Sequence, residues 1–218
     1  MFGIKQVIRL TGVAIILAAP AALRADQPQT MTISTDLNPV FVNGKLRGCS
    51  IEFEVGRNDP EYSKGKLVDI QGSLSLLAFD AQSPYFLLKL AVTEAGQSAP
   101  QAPTDAYLLH GYATNRADFV KRLAGEAGQT PGSAMFFFRS GKSTQKAALD
   151  DVILNRTLTF GYAMQSGGLN AVVPVDLRIR QVDFNDADKS QIDDKLVGEW
   201  SNCAVSLLDA AKNTLQDK

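Results

Sequence analysis

The two cysteines of this chain constrain its fold more than any other feature, because they lie in two different kinds of segment. Cys49 lies within Arg47 to Val55, a segment of alternating polarity that is typical of a strand with one buried face. The apolar positions of this strand are Cys49, Ile51, Phe53 and Val55. The pattern therefore predicts that the Cys49 side chain points into the core.

Cys203 lies in the clearest helical pattern of the sequence, over Ile192 to Leu208. Apolar residues recur there at spacings of three and four, which places them on one stripe of a helix, with Cys203 at its edge. They are Leu196, Val197, Trp200, Ala204, Leu207, Leu208 and Ala211. We expect Asp188 or Ser190 to cap the start of this helix. Gly198 weakens its middle, so one helix or two shorter helices are compatible with the pattern.

The first 25 residues have the pattern of a secretory signal peptide. Lys5 and Arg9 precede an apolar run from Thr11 to Ala19, which is too short to span a bilayer comfortably. We expect cleavage before Asp26, with a cut after Ala21 as the alternative. An uncleaved N-terminal anchor is the other interpretation.

Cleavage before Asp26 leaves a mature protein of about 190 residues. Its formal charge is -4 instead of -1, because the removed segment holds three basic side chains and no acidic one. This mild acidity argues against a nucleic-acid binder or a binder of anionic membranes. We expect no membrane span after cleavage and a periplasmic or secreted location.

Export would place both cysteines in an oxidising space, where cysteine pairs form disulfides. We therefore predict a bond between Cys49 and Cys203 that ties the C-terminal helix to the inner face of an early strand. Two unpaired buried thiols are the alternative.

Most of the remaining chain has the pattern of short strands separated by turns. Predicted strands, in addition to the Cys49 strand, are Val40–Val42, Lys66–Phe79, Tyr85–Val92, Ala106–Tyr112, Met135–Phe138, Thr157–Tyr162 and Ala171–Val182. The expected fold is mainly β, an antiparallel sandwich or small barrel of about seven or more strands, with one short internal helix and a C-terminal helix packed on the sheet. We expect a single exported domain over residues 26–218, with the C-terminal helix starting near residue 190.

Four local features refine this expectation. Asn43 and Gly44 predict a hairpin turn into the Cys49 strand. Pro174 lacks an amide donor, so its strand should lie at an edge of the sheet or be bulged. The segment Asp26–Asn38 is polar and predicts a loose N-terminal stretch, whereas the spacing of apolar residues over Thr114–Gly128 predicts the internal helix.

The chain offers few residues for nucleophilic or phosphate chemistry. His110 is the only histidine, and no serine lies in a G-x-S-x-G turn, which argues against a serine hydrolase. Gly141-Lys142-Ser143 resembles the end of a phosphate-binding loop, but Phe136 occupies the position where that pattern requires glycine.

Metal binding is also disfavoured by the residues present. With one histidine and a predicted disulfide, a structural zinc site has too few ligands. Oxygen ligands that suit calcium cluster at Asp183, Asn185, Asp186 and Asp188, but the segment lacks the glycine and the distal glutamate of a calcium hand. We therefore predict no catalytic residue, no cofactor and no metal site, and we expect these acids to act in capping and solvation.

Two features leave other functions open. Four acids are predicted to face outward on strands, and carboxylates paired at about 5 to 9 Å can hydrolyse a glycoside. They are Glu52, Glu54, Asp69 and Asp176. Three strands are apolar on both faces: Tyr85–Val92, Ala106–Tyr112 and Met135–Phe138. Either helices or a second sheet cover their outer faces, or their inner faces line a cavity for a lipid-like molecule.

These observations favour an exported, non-catalytic binding or structural component of the cell envelope. Its expected partner is an envelope protein. The first alternative is a carrier of an apolar small molecule inside a β-barrel, and the second is an envelope hydrolase with paired carboxylates.

Overall fold

The structure is a computed structural model that describes residues 28–78, 84–94, 96–109, 123–139, 147, 149–166, 168 and 171–216. Within these ranges it has eleven strands and one long C-terminal helix. The predicted signal peptide, His110 and Gly141-Lys142-Ser143 lie outside the described residues.

The strands form two antiparallel sheets that belong to a sandwich. The strands are β1 (Gln29–Val42), β2 (Lys45–Asn58), β3 (Leu67–Leu77), β4 (Tyr85–Thr93), β5 (Asp105–Leu109), β6 (Leu123–Ala127), β7 (Ser133–Arg139), β8 (Thr157–Ala163), β9 (Ala171–Asp176), β10 (Ile179–Gln181) and β11 (Gln191–Ile192). One sheet has the order β11-β10-β1-β2-β3-β4-β7-β6, and the other has the order β5-β8-β9. A short pairing of β5 with β6 joins them, and they do not form a closed barrel. The mainly β, antiparallel architecture is therefore confirmed.

The hairpin of β1 and β2 is formed by a turn that the sequence predicts. Asn43 and Gly44 have φ values of 51° and 73°, and a two-residue hairpin turn of type I′ requires positive φ at both positions. The predicted loose stretch over Asp26–Asn38 is wrong from Gln29 onward, because β1 pairs with β2 along its whole length. The many polar residues of β1 do not prevent this pairing, since the β2 ladder satisfies its backbone groups.

The internal helix expected over Thr114–Gly128 is also wrong in its described part. Residues 123–127 form β6, which lies between β5 and β7. Gly125 lies opposite Phe136, and a Cβ at this position would lie 2.6 Å from an atom of the Phe136 ring. Sheet pairing and close contact with the ring therefore override the helical spacing of the apolar residues.

The predicted strand Ala171–Val182 is divided by a turn at Leu177 and Arg178 into β9 and β10. β9 pairs with β8, and β10 pairs with β1. Pro174 lies on β9, which is the edge strand of the three-stranded sheet, so the prediction from its missing amide donor is confirmed.

The C-terminal helix, α1 (Lys195–Gln216), is continuous through Gly198. Its buried stripe is Leu196, Val197, Trp200, Leu207 and Ala211. Neither Asp188 nor Ser190 caps it. Instead, Asp193 Oδ1 accepts the first backbone N–H of the helix at 2.9 Å. Among the described residues no helix is long and apolar enough to cross a bilayer.

The predicted disulfide holds α1 on the inner face of β2. The Cys49 and Cys203 sulfurs are 2.02 Å apart, and the Trp200 indole N–H donates to the Cys49 carbonyl oxygen at 3.0 Å. Further along β2, the Phe53 ring contacts the Phe160 ring of β8 with centroids 5.3 Å apart. The core therefore lies between the inner face of the eight-stranded sheet, the three-stranded sheet and the helix.

Removal of either cysteine should lower the free energy of unfolding by up to about 5 kcal/mol, because the bond closes a loop of 154 residues in the unfolded chain. We expect Cys49→Ser, Cys203→Ser and the double variant to show similar losses in urea unfolding without reductant. Reduction of the wild-type protein should give the same loss. Clearly additive losses would contradict the pairing.

Candidate functional site

The outer face of the eight-stranded sheet carries an open polar groove with a volume of about 440 Å³. Its charged and amide residues come from β1 to β4, and we call this site the acidic groove. They are Asp36, Glu52, Glu54, Gln71 and Lys89. The acids outnumber the lysine, so the groove favours cationic groups.

Strand alternation and register place these side chains side by side. Glu52 lies opposite Asp36 on β1, and Glu54 lies opposite Gln71 on β3. The residues between and beside them on β2, including Phe53, point inward and are buried. The inward packing of β2 therefore forces both glutamates onto the outer face.

Most charged groups of the groove already have partners. Asn38 Nδ2 donates to Glu52 Oε1 at 2.7 Å, and Arg180 lies 3.2 Å from Asp36 Oδ1. Lys89 Nζ donates to Thr130 Oγ1 at 2.8 Å.

Glu54 differs from Asp36, which pairs with Arg180, and from Glu52, which accepts the Asn38 amide, because no described residue forms an ion pair or a side-chain hydrogen bond with it. Burial raises its pKa, and the nearby charge of Asp69 raises it further. Burial also raises the pKa of Asp69, against the opposing effect of a hydrogen bond from the Gln71 amide. Glu54 is therefore the acid of the groove whose charge would gain most from an added cation.

The structure brings together three of the four outward acids that the sequence singles out. Glu52 and Glu54 line the groove, and Asp69 acts electrostatically on Glu54. Asp176 is not part of this group, because it lies on β9 and forms an ion pair with Arg178 at 2.6 Å. A hydrogen bond from Arg178 lowers the pKa of Asp176.

A second candidate site lies at the far end of β2 from the disulfide, and we call it the polar end. Arg57 is buried there and forms an ion pair with Asp59 at 2.7 Å. Its Nη1 donates to Thr30 Oγ1 at 3.0 Å and to the Val172 carbonyl at 2.6 Å. One guanidinium group therefore contacts β1, β9 and the turn that follows β2.

Asp59 fixes that turn. Its Oδ1 accepts the backbone N–H groups of Glu61 and Tyr62, each at 3.0 Å. Burial raises the pKa of Asp59, but the Tyr62 N–H, Arg57 and the Glu61 N–H together lower it below its usual range. The ionised carboxylate is therefore the form that the folded state favours.

Two tyrosines complete the polar end. The Tyr62 hydroxyl donates to Glu94, and the Tyr62 ring lies edge-on to the Tyr162 ring at 6.3 Å. Burial is the main cause that raises the pKa of both tyrosines, so both hydroxyls are protonated at neutral pH. A cavity of about 210 Å³ lies beside Tyr62 and is also lined by Lys64, Lys66 and Glu94.

The sequence analysis did not identify the polar end, although one signal was present. Ile51, Phe53 and Val55 occupy every second position of β2 and point inward. Arg57 is the next residue in this series, so a charged side chain occurs where the alternation predicts a buried one. A buried arginine needs a partner, and Asp59 two residues later is the nearest candidate.

The acids near the start of α1 act in local turns. Asp183 Oδ1 accepts backbone N–H groups of Asn185 and Asp186, and Asp186 Oδ1 accepts that of Asp188. In the described part of the chain no group of three or more histidine, cysteine or acidic side chains is arranged to hold a metal ion.

Of the three strands that are apolar on both faces, β4 and β7 have one face in the core and the other at the surface, whereas Leu108 and Leu109 of β5 are both buried. Leu88, Leu90 and Phe136 are fully buried on the inner face. On the outer face, Leu87 is half-buried and Phe137 is 43 % exposed. The outer apolar residues therefore lie beside the acidic groove instead of lining an interior cavity.

No family model, curated protein or solved structure matches this chain. The acidic groove and the polar end are therefore the features that bear on function.

Asp59→Asn should lower the free energy of unfolding near neutral pH by about 3 kcal/mol, because it leaves the buried Arg57 charge unpaired. The folded state lowers the Asp59 pKa below its ordinary value of 3.8. The carboxylate therefore stabilises the fold above that value, and this contribution is lost as the pH falls through the lowered pKa. The difference between wild type and variant should shrink as the pH falls below 3.8.

Urea unfolding of both proteins from neutral to acid pH measures this difference. The matched control is Asp176→Asn, which removes a partly exposed ion pair and should cost less than about 1 kcal/mol. An Asp59→Asn loss that is equally large at acid and neutral pH would contradict the ion-pair explanation.

Proposed function

We propose that this protein is an exported, non-catalytic binding component of the cell envelope, periplasmic or secreted, that holds a basic segment of a partner protein in the acidic groove. The observation that carries the proposal is the alignment of Glu52 and Glu54 on one strand of an open groove with excess negative charge. The signal-like N-terminus and the disulfide support the exported location.

The spacing of the two glutamates suggests the form of the partner. Residues two apart on a strand are separated by about 6.6 Å, and alternate side chains of any extended peptide have the same spacing. A segment with a lysine or arginine at every second position can therefore place one cation beside Glu52 and the next beside Glu54. Burial and the negative charge of Asp69 raise the pKa of Glu54. A cation beside Glu54 would offset the repulsion between these two carboxylates.

The groove is suited to binding because its walls are already in place. Apart from Thr130 they belong to paired strands, and the disulfide ties β2 to α1 on the other face. A wall that does not have to become ordered on binding avoids the entropy that a flexible loop would lose. Electrostatic attraction of this kind increases the association rate and the specificity more than the affinity.

The test is binding of a synthetic ten-residue peptide with alternating arginine and serine, measured by fluorescence anisotropy at low ionic strength. Glu52→Gln/Glu54→Gln should weaken binding at least about tenfold, and high salt should weaken wild-type binding because the charges are exposed.

The matched control is Asp188→Asn/Asp209→Asn, which removes two exposed acids outside the groove. It makes the same change in net charge and should leave binding nearly unchanged. An equal loss of binding in both double variants would show that binding depends only on net charge, which would contradict the proposal. A wild-type protein that does not bind the peptide would also overturn it.

The hydrolase alternative has one observation in its favour. Glu52 and Glu54 share the groove on adjacent outward positions of one strand, and inverting glycosidases use two carboxyls about 6.5 to 9.5 Å apart. A raised pKa, as at Glu54, suits a general acid. Hydrolysis of a soluble glycan by wild type that is abolished by Glu54→Gln and retained by Asp188→Asn would favour this alternative over binding.

The carrier alternative has less support. The inner residues of the doubly apolar strands pack against one another, as the Phe86 and Phe138 rings do with centroids 5.3 Å apart. Native mass spectrometry that finds extra mass released on denaturation would favour a carrier.

A further inference from the structure

Two buried atoms of the polar end have no hydrogen-bond partner among the described residues. They are the Nε of Arg57 and the hydroxyl oxygen of Tyr162. Burial raises the pKa of Tyr162, and the nearby Tyr62 hydroxyl lowers it without meeting the geometry of a hydrogen bond. Arg57 is 6 % exposed and Tyr162 is fully buried. Buried donors of this kind are almost always paired in folded proteins, since a buried group without a partner loses its bonds to water and gains nothing in return.

The two atoms belong to one region. The Arg57 guanidinium donates to the Val172 carbonyl, and Val172 follows Ala171, which pairs with Tyr162 across β8 and β9. The positive charge of Arg57 also acts on the Tyr162 hydroxyl, where it opposes the effect of burial on the pKa. The guanidinium and the hydroxyl therefore lie in the same region of the sandwich.

We propose that the polar end is a binding site for one small neutral molecule, water itself, that accepts a hydrogen bond from Arg57 Nε–H and bonds to the Tyr162 hydroxyl. This site is separate from the acidic groove and does not depend on the function proposed for it.

The chemistry of the surroundings selects this occupant. Arg57 Nε–H can only donate, so the occupant must offer an acceptor. The carboxylates of Asp59 and Glu94 act on the same region, so an anion would be repelled. A cation would be repelled by the Arg57 charge, and the Nε–H donor could not bind it. A water molecule with two to four polar partners is the ordinary solution for such a site.

Tyr62 lies beside this site. Its ring lies against the Tyr162 ring, and its hydroxyl is bonded to Glu94 in the wall of the 210 Å³ cavity.

Tyr162→Phe tests the proposal because it keeps the ring and removes only the hydroxyl. If the hydroxyl is bonded to water, the unfolding equilibrium constant in urea should rise about fivefold. An unpartnered hydroxyl predicts the opposite result, because its removal would leave the constant unchanged or lower it. That result would overturn the proposal.

The matched variant Tyr62→Phe removes a hydroxyl with a known partner in the same cluster, so it sets the scale for one lost hydrogen bond. A crystal structure of the disulfide-bonded protein provides the direct measurement. We expect a density peak within about 2.7–3.2 Å of both Arg57 Nε and the Tyr162 oxygen. A direct bond between these two atoms, a protein group between them, or a Tyr162 hydroxyl bonded to the Tyr62 hydroxyl with no density peak beside it would also overturn the proposal.

Discussion

The inner face of β2 is the surface on which the rest of the structure depends. Three different interactions meet it at every second inward position, four residues apart. At Cys49 the helix is attached by the disulfide and by the Trp200 hydrogen bond. At Phe53 the three-stranded sheet is in contact through the Phe160 ring. At Arg57 the guanidinium binds the Val172 carbonyl of β9. Every fourth residue over this part of β2 therefore holds a different part of the fold in place.

The same constraint creates the acidic groove. A shift of the β2 register by one residue would turn Glu52 and Glu54 into the core and expose Phe53 and Val55. Such a shift would bury two carboxylates without partners, which is far more costly than the loss of a few ladder bonds. The groove is thus fixed by packing on the opposite side of the strand, and it needs no dedicated loop.

The sequence predicts those elements whose signal is local. The alternation in β2 and β3, the hairpin turn at Asn43 and Gly44 and the apolar stripe of α1 are each complete within one short segment. The disulfide follows from them, because the inward parity of Cys49 and the position of Cys203 on the helix are both local patterns. The edge position of Pro174 follows in the same way from its missing amide donor.

The sequence analysis misses elements that depend on partners distant in the chain. β1 is polar and carries little apolar alternation, so only its ladder with β2 makes it a strand. β6 has helical spacing, and the Phe136 ring opposite Gly125 shows why a strand forms there. The outward direction of Glu52, Glu54 and Asp69 was predictable, but their meeting in one place required the strand order. Alternation marked Arg57 as buried, yet its contacts with Thr30 and Val172 join segments that lie far apart in the sequence.

These contacts explain why a charged residue is useful at an inward position. β9 and β1 are not neighbours in either sheet, so no ladder fixes their relative position. Directional bonds do so instead: Arg57 binds the Val172 carbonyl, and Thr32 Oγ1 accepts the Asp176 N–H at 2.9 Å. An apolar residue of the same volume could pack equally well and could even stabilise the fold more. Its contacts have no direction, however, so they would be compatible with many relative positions of β1 and β9. The ion pair with Asp59 keeps the Arg57 charge compensated while its other donors define that alignment.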